Sequence, residues 1–317
     1  MILGIGFAQS TVQRFAVSKA KGPYFEQKAY LTTKHDKARA IAWPMRLGLG
    51  LEVVTSSEID TDLLGTFTGE VERTCSPLET VVKKARMGMV VSGLSLGLAN
   101  EGSFGPHPYL FFIPGAQEIM AFLDDRLEIE VTEQLISTET NFSHSLAASI
   151  GELDDYLARA KFPSHGLIVR PNCEKGNLGA SADNGGLPAK DGMVIKGVRA
   201  FDDLEKAIDL CRRESSDGKA FVETDMRAHM NPTRQRVIRR LAIKLSRRLA
   251  QLCSVCSCPG WGLTDFLPGL PCALCGRPSE KALFEIFSCQ KCLHQEQLPR
   301  RDGRVAVEPR DCNYCNP

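Results

Sequence analysis

The chain has 317 residues, and none of its apolar runs approaches the roughly 20 residues that a membrane-spanning helix requires. That excludes an α-helical membrane protein. A secretion signal is missing too: Met1–Ala8 is apolar, but it lacks a charged start and a clear cleavage site. Residues 1–29 read as a lead-in, and the expected location is the cytoplasm. Net charge is almost absent, at +1. The near-neutral total hides an uneven distribution. From Met226 onward there are 15 Lys+Arg against 7 Asp+Glu, and before it 24 against 31. A basic tail on an acidic body points to an internal docking surface or to a polyanion site.

Cysteine is what the chain has in plenty. Nine of its 12 cysteines lie between Cys253 and Cys315. In a reducing compartment, CxxC pairs read as metal ligands rather than disulfides. A CxxC knuckle presents two thiolates to one ion, and two knuckles complete a tetrahedron. The spacing predicts one zinc site from Cys253, Cys256, Cys272 and Cys275 and a second from Cys289, Cys292, Cys312 and Cys315. Joining Cys272/Cys275 to Cys289/Cys292 is the alternative. Cys258 is spare. Arg301-Asp302-Gly303-Arg304 reads as a hairpin turn within the second set. Four thiolates leave no open position, so both ions are expected to be structural.

Upstream of the cysteines, Glu223 to Arg234 runs through charges of both signs into a helix start. Asn231 suits an N-cap and Pro232 the first helical position. The helix is predicted over 232–252, with Val237, Ile238, Leu241, Ala242, Leu245, Leu249 and Leu252 in one stripe. Arg236, Arg239, Arg240, Lys244 and Arg247 lie opposite, with no acid and no aromatic among them. A solvated basic face is the plainer account of this pattern; a nucleic-acid surface is the sharper one. Just before the helix, an extended segment would set Glu223, Asp225, Arg227 and His229 on one edge.

The first 231 residues read as alternating strands and helices. Strands are expected at 29–33, 51–55, 94–99, 110–113, 127–132, 166–170 and 219–222. Ser76-Pro77-Leu78-Glu79 signals a helix start, and further helices are expected at 151–160 and 202–213. Asp60-Thr61-Asp62 opens a polar loop, and Glu101 ends a strand before a glycine, where open α/β sheets place ligands. Residues 171–192 form a long Gly- and Asn-rich loop between Arg170 and Lys196.

Strand, Thr-Lys turn, helix, second strand, Glu79-x4-Lys84-Ala85 and a strand ending in Glu101-Gly102 together resemble the nucleoside triphosphate pyrophosphatases of the inosine-triphosphatase type. The resemblance covers residues 30–108. It implies that Lys37 holds phosphate, and that Glu79, Lys84 and Glu101 take part in magnesium and substrate binding. Over its full length the chain resembles an uncharacterised bacterial family catalogued as domain of unknown function 6671. That likeness rests on Thr33-Lys34-His35, Asp60-Thr61-Asp62, 65–70, 101–108, 223–234 and the cysteine tail.

The resulting expectation is an α/β protein with a mixed-sheet N-terminal body over 30–231. A basic connecting helix over 232–252 and a double four-cysteine zinc ribbon over 253–317 would follow. The body would bind a phosphate-containing small molecule and hydrolyse a nucleotide phosphoanhydride or phosphoester with magnesium. Asp60, Asp62, Glu79 and Glu223 would hold the magnesium, and Glu101 and Asp225 would stand at the reaction centre. His229 or His107 would serve as base. Lys34, Lys37, Lys84, Arg170, Lys196, Arg227 and Arg234 would neutralise phosphate. The alternative is a non-catalytic zinc ribbon that binds nucleic acid or docks a protein.

Overall fold

The computed structural model describes residues 22–34, 36–56, 76–172 and 193–316. Its first unit is a five-stranded sheet. The strands β1 (Lys28–Thr32), β2 (Glu52–Val54), β3 (Leu96–Pro106), β4 (Pro114–Asp124) and β5 (Ile129–Ser137) lie in the order β2-β1-β3-β4-β5. Strand β1 runs parallel to both of its neighbours, whereas β3, β4 and β5 form an antiparallel meander. Helices α1 (Ala38–Leu49) and α2 (Pro77–Ser92) make the crossovers. From β1 the chain steps to one side to form β2. It then returns to the other side to form β3. This reversal is a topological switch point, and it lies at the carboxyl end of β1, the place where open α/β sheets bind ligands.

Side-chain alternation along β3 and β4 sorts residues between two cores. Leu96, Leu98, Met120 and Phe122 join Ile41, Met45, Ile238, Leu241 and Leu245, so α1 and α5 (Pro232–Leu249) cover one face. Val81, Ala85 and Met89 of α2 cover the other, against Ala99, Ile119, Ala121 and Leu123. Tyr24 is fully buried in the first core, packed edge-on to Phe122 at 4.9 Å.

The second unit is a four-stranded antiparallel sheet of β6 (His144–Ala147), β7 (Leu167–Pro171), β8 (Ile195–Val198) and β9 (Ala220–Thr224), in the order β6-β9-β7-β8. Helices α3 (Asp154–Ala160) and α4 (Phe201–Arg213) bury one face of it, around Leu157, Val169, Leu204, Ile208 and Val222.

Helix α5 starts where the sequence places it. The Asn231 side chain accepts from the Arg234 amide at 2.9 Å, and Pro232 is the first helical residue. The expected stripe is buried from Val237 to Leu249, but the helix stops there and Leu252 is exposed. The basic side of the helix is not simply solvated. Lys244 Nζ and Arg248 Nη1 donate to the backbone carbonyls of Gln134 and Thr132 on edge strand β5. Both also pair with Glu133, at 2.7 and 3.1 Å, and Arg240 pairs with Glu139 at 3.0 Å. The cations cover an edge that would otherwise offer free carbonyls.

Two expectations change here. Glu101 does not end a strand, because β3 continues to Pro106. Residues 110–113 are not a strand but the turn joining β3 to β4, closed by Leu110 N–H to His107 O and Ile113 N–H to Leu110 O. Prolines at 106, 108 and 114 lack the amide protons a ladder needs there.

The C-terminal part is a three-stranded antiparallel sheet of β10 (Gly262–Pro268), β11 (Ala282–Ser288) and β12 (Gln295–Pro299). It abuts the body closely at Gly260, whose φ is +96°; a Cβ there would lie 2.7 Å from Val131. Among the described residues, no helix is long and apolar enough to cross a membrane.

Candidate functional site

The switch point holds a buried charged centre. Lys37, the N-cap residue of α1, makes no side-chain cap; its Nζ instead donates to the Asn100 carbonyl of β3 at 2.6 Å. On the α2 face, Lys84 Nζ pairs with Glu101 at 2.7 Å, with the two side chains 9% and 3% exposed. On the α5 face, Arg234 Nε pairs with Glu118 of β4 at 2.7 Å, and both side chains are at most 1% exposed. Arg234 also donates from Nη1 to the Met226 carbonyl at 2.6 Å, and Asn100 Nδ2 donates to Glu118 at 3.1 Å. Gly102 gives the pair room, since a Cβ there would sit 2.5 Å from Arg234 Nη2 and 2.6 Å from Glu118 Oε1.

Three cations thus face two carboxylates out of water. Burial, reinforced by the neighbouring Arg234 guanidinium, pushes Lys37 down to about 7. Three more polar atoms here are buried without a hydrogen-bond partner among the described residues: Thr32 Oγ1, Thr33 Oγ1 and Asn100 Oδ1. Leaving such groups unmet costs about 1–3 kcal/mol each. Thr32 pairs in register with Ala99, so β1 ends beside the middle of β3, next to Asn100; the Thr32 hydroxyl packs against Gly88 of α2, where a Cβ would lie 2.1 Å from it. Excess positive charge together with an unmet Thr33 hydroxyl suits an oxyanion.

The sequence expectations divide around this centre. Lys37, Lys84, Glu101 and Arg234 converge on it. Lys34 lies exposed on the turn between β1 and α1. Glu79 is elsewhere: it closes a capping box, accepting from the Ser76 amide and hydroxyl at 2.9 Å each, and those bonds hold its carboxyl below the usual range. A carboxylate committed to a helix cap is a poor magnesium ligand. Asp60 and Asp62 lie outside the described residues.

The edge expected at 223–229 does not persist, because β9 ends at Thr224 and 228–230 turn into a 3-10 helix. Asp225, fully buried, is gripped by Arg227 through Nε at 3.0 Å and Nη2 at 2.6 Å. Glu223 and Arg170 face each other on the second sheet, where Lys196 also stands, half-buried. His229 is exposed, and the partial desolvation of its ring, followed by the Arg227 charge, lowers its pKa. His107 sits at the β3–β4 turn, its Nδ1 accepting from the amides of Tyr109 and Leu110. Among the described residues no three carboxylates gather as a cation site.

Sequence reading missed Glu118, Asn100, Thr32 and Thr33. For Glu118 a signal existed: a lone acid amid apolar residues in Gly115-Ala-Gln-Glu-Ile-Met-Ala-Phe calls for a buried cation.

The cysteines form two closed groups, but not in the order expected. Cys253, Cys256, Cys289 and Cys292 make one, and Cys272, Cys275, Cys312 and Cys315 the other, with ligand atoms within 4.8 Å in each. Both sequential pairings are corrected. The reason is the meander. Antiparallel pairing sets Gly262 beside Ser288, so the knuckles before β10 and after β11 share one end of the sheet. Those before β11 and after β12 share the other. The turn at Arg300–Gly303 exists, but it carries the chain on to a bridge between Val307 and Cys272 rather than back along a hairpin.

The cysteine groups can be tested against a tetrahedral ion. Sulfurs about 2.3 Å from a zinc lie about 3.8 Å apart. Here Cys253–Cys292 is 3.7 Å, Cys256–Cys289 3.6 Å, Cys272–Cys315 3.9 Å and Cys275–Cys312 3.7 Å. These are metal-cluster distances, far from the roughly 2.05 Å of a disulfide. Amides of Val255, Leu274 and Lys291 donate to Cys253, Cys272 and Cys289 at 3.4 Å, steadying the thiolates. Cys253, Cys258 and Cys289 are part of the main core, whereas Cys272 and Cys312 pack only with Leu270, Val307 and their immediate neighbours.

No curated protein and no solved structure matches the chain. One family model does, over residues 84–317, which takes in the second half of the charged centre, the second sheet, α5 and both cysteine groups. On that match, the chain belongs to the family described as Domain of unknown function (DUF6671).

Proposed function

We propose that the protein binds a phosphate-bearing small molecule of the nucleotide class at the switch-point centre, and that two structural zinc ions brace its C-terminal part. The observation that carries the reading is the charge inventory of the centre: Lys37, Lys84 and Arg234 against Glu101 and Glu118, beside a Thr33 hydroxyl with no hydrogen-bond partner among the described residues. An oxyanion would restore charge balance and give that hydroxyl an acceptor. The gathering of Lys37, Lys84 and Glu101 also supports the likeness to the inosine-triphosphatase type, and with it phosphoanhydride hydrolysis as the activity. Because Glu101 and Glu118 are each engaged by a cation, magnesium would arrive on the nucleotide's phosphates rather than wait in a carboxylate cage. A bound phosphate would favour the charged form of Lys37, whose pKa burial and the Arg234 charge hold down to about 7 in the empty centre.

Nucleic-acid binding through α5 has less support, since two of the five cations on its basic face, Arg240 and Lys244, are engaged by Glu139, Glu133 and the Gln134 carbonyl. The test is a titration with inorganic pyrophosphate and a nucleoside triphosphate panel, with and without magnesium, followed by release of phosphate or pyrophosphate. Pyrophosphate is expected to bind, and Lys37→Met and Thr33→Val to weaken it at least tenfold. Absence of binding by every phosphate compound would end this reading.

A further inference from the structure

The second sheet carries a polar face that the switch-point centre does not use. Helices α3 and α4 cover one side through Val169 and Val222. Alternation turns Arg170, Phe221 and Glu223 to the other side. There the Arg170 guanidinium lies 4.0 Å over the Phe221 ring. The His144 imidazole stacks on the same ring, with centroids 4.9 Å apart and planes 18° from parallel. Arg170 is 3% exposed, and its Nη2 is buried with no hydrogen-bond partner among the described residues. Its ion pair is loose: Nε reaches Glu223 Oε1 at 3.4 Å.

A buried guanidinium N–H without an acceptor is costly, and a long contact to a neighbouring carboxylate does little to offset it. The geometry is that of a half-filled fork. Arg170 offers a donor at Nη2, and beside it Glu223 keeps acceptor capacity on its carboxylate. Burial raises the Glu223 pKa despite the Arg170 charge. A second anion would add to that carboxylate's burden, whereas a neutral amide would suit both groups at once. Its carbonyl oxygen would accept from Arg170 Nη2, and its N–H would donate to Glu223. His144 is exposed at the rim, on strand β6, and gives the face an open side.

We infer that the Arg170–Glu223–Phe221–His144 face binds a small molecule through a neutral amide or lactam edge. A nucleobase and a carboxamide side chain share that edge. The site lies in a different sheet from Lys37, Lys84 and Glu101, so it goes beyond the phosphate site and stands or falls separately.

The experiment uses the full chain and probes that carry no phosphate: guanosine and uridine for a lactam ring, glutamine for an open amide, and purine riboside, whose base has no N–H donor, as the control. Binding is followed by calorimetry and by ligand-observed NMR. At least one of the three amide or lactam probes is expected to bind and purine riboside to bind at least tenfold more weakly. Arg170→Gln should weaken the bound probe at least tenfold, in line with losing a charge-assisted hydrogen bond. Since Arg170 is buried, His144→Ala at the exposed rim serves as the second variant. It should weaken binding several-fold while leaving the melting temperature unchanged. Pyrophosphate binding should be the same in all of these proteins, which separates this site from the first. No binding of any of the three probes, equal binding of purine riboside, or binding untouched by both variants would overturn the inference.

Discussion

The interleaved cysteine groups make a prediction in which two pairings give opposite results. In the structure Cys253 shares a site with Cys289, whereas Cys272 belongs to the other. The two sites are separated by the length of β10, a seven-residue strand, or about 20 Å at ~3.3 Å per residue. No thiolate can serve both. Removing two of four ligands empties a tetrahedral site, and each structural ion contributes apparent binding energy of about 10–16 kcal/mol. Cys253→Ser with Cys289→Ser should therefore lower the metal content from two ions per chain to one. Cys253→Ser with Cys272→Ser takes one thiolate from each site, so neither keeps its closed tetrahedron and both ions should be lost to a mild chelator. Consecutive knuckles would reverse the two outcomes. Stability adds an independent reading. Cys253 and Cys289 lie in the core with Ile238, Leu241 and Val131, while Cys272 and Cys312 have a small cluster of their own. Emptying the first site should therefore lower the melting temperature of the whole body. Cys272→Ser with Cys312→Ser should loosen only the distal end, seen as local loss of hydrogen-exchange protection. Metal analysis of purified variants and calorimetric unfolding supply both readouts. If the Cys253/Cys289 variant is metal-free and the Cys253/Cys272 variant keeps one ion, the interleaved pairing is wrong.

Four further outcomes follow from the charged residues. Glu118→Ala should destabilise the protein by about 3–5 kcal/mol, because Arg234 is left charged and buried; adding Arg234→Met should recover much of that loss in chemical denaturation. The folded-state pKa of Lys37 is depressed, so between about pH 7 and 10.5 the unfolded chain holds a proton that the folded chain lacks. Stability should rise with pH across that window by up to about 1.4 kcal/mol per unit, the slope should flatten in Lys37→Met, and bound pyrophosphate should flatten it in the wild type. Glu79→Ala should cost about 0.3–1 kcal/mol through loss of the acid in the first turn of α2 and leave pyrophosphate binding untouched, a check that Glu79 has no part in the phosphate site. Arg248→Ala should cost about 2–3 kcal/mol, since Arg248 serves Glu133 and the carbonyls of Thr132 and Gly260, whereas Arg236→Glu should be nearly neutral in thermal unfolding.

Much of the local structure could be read from residue order. Ser76-Pro77-Leu78-Glu79 specified the start of α2 and Asn231-Pro232 that of α5, because caps are local hydrogen bonds between residues three apart. The apolar stripe of α5 specified its buried face for a similar reason, since helical geometry fixes which residues share a side. The eight CxxC cysteines announced two four-thiolate sites because a knuckle is a local turn.

Which knuckles meet was not local. It depends on the direction in which β11 and β12 return, and the sheet register alone decides that. The same holds for the body. Lys37, Lys84 and Glu101 could be suspected from their spacing, but Glu118 and Arg234, 116 residues apart in the chain, are joined by the packing of α5 across β4. The Glu79 carboxylate went the other way: its type suggested a metal ligand, and the helix terminus claimed it first. Sequence by itself determined the elements, their caps and the cysteine chemistry, because each depends on neighbours within a few residues. Tertiary structure alone decided the cross-braced metal pairing and the buried charged centre, because burial and long-range register choose the partner of each charge.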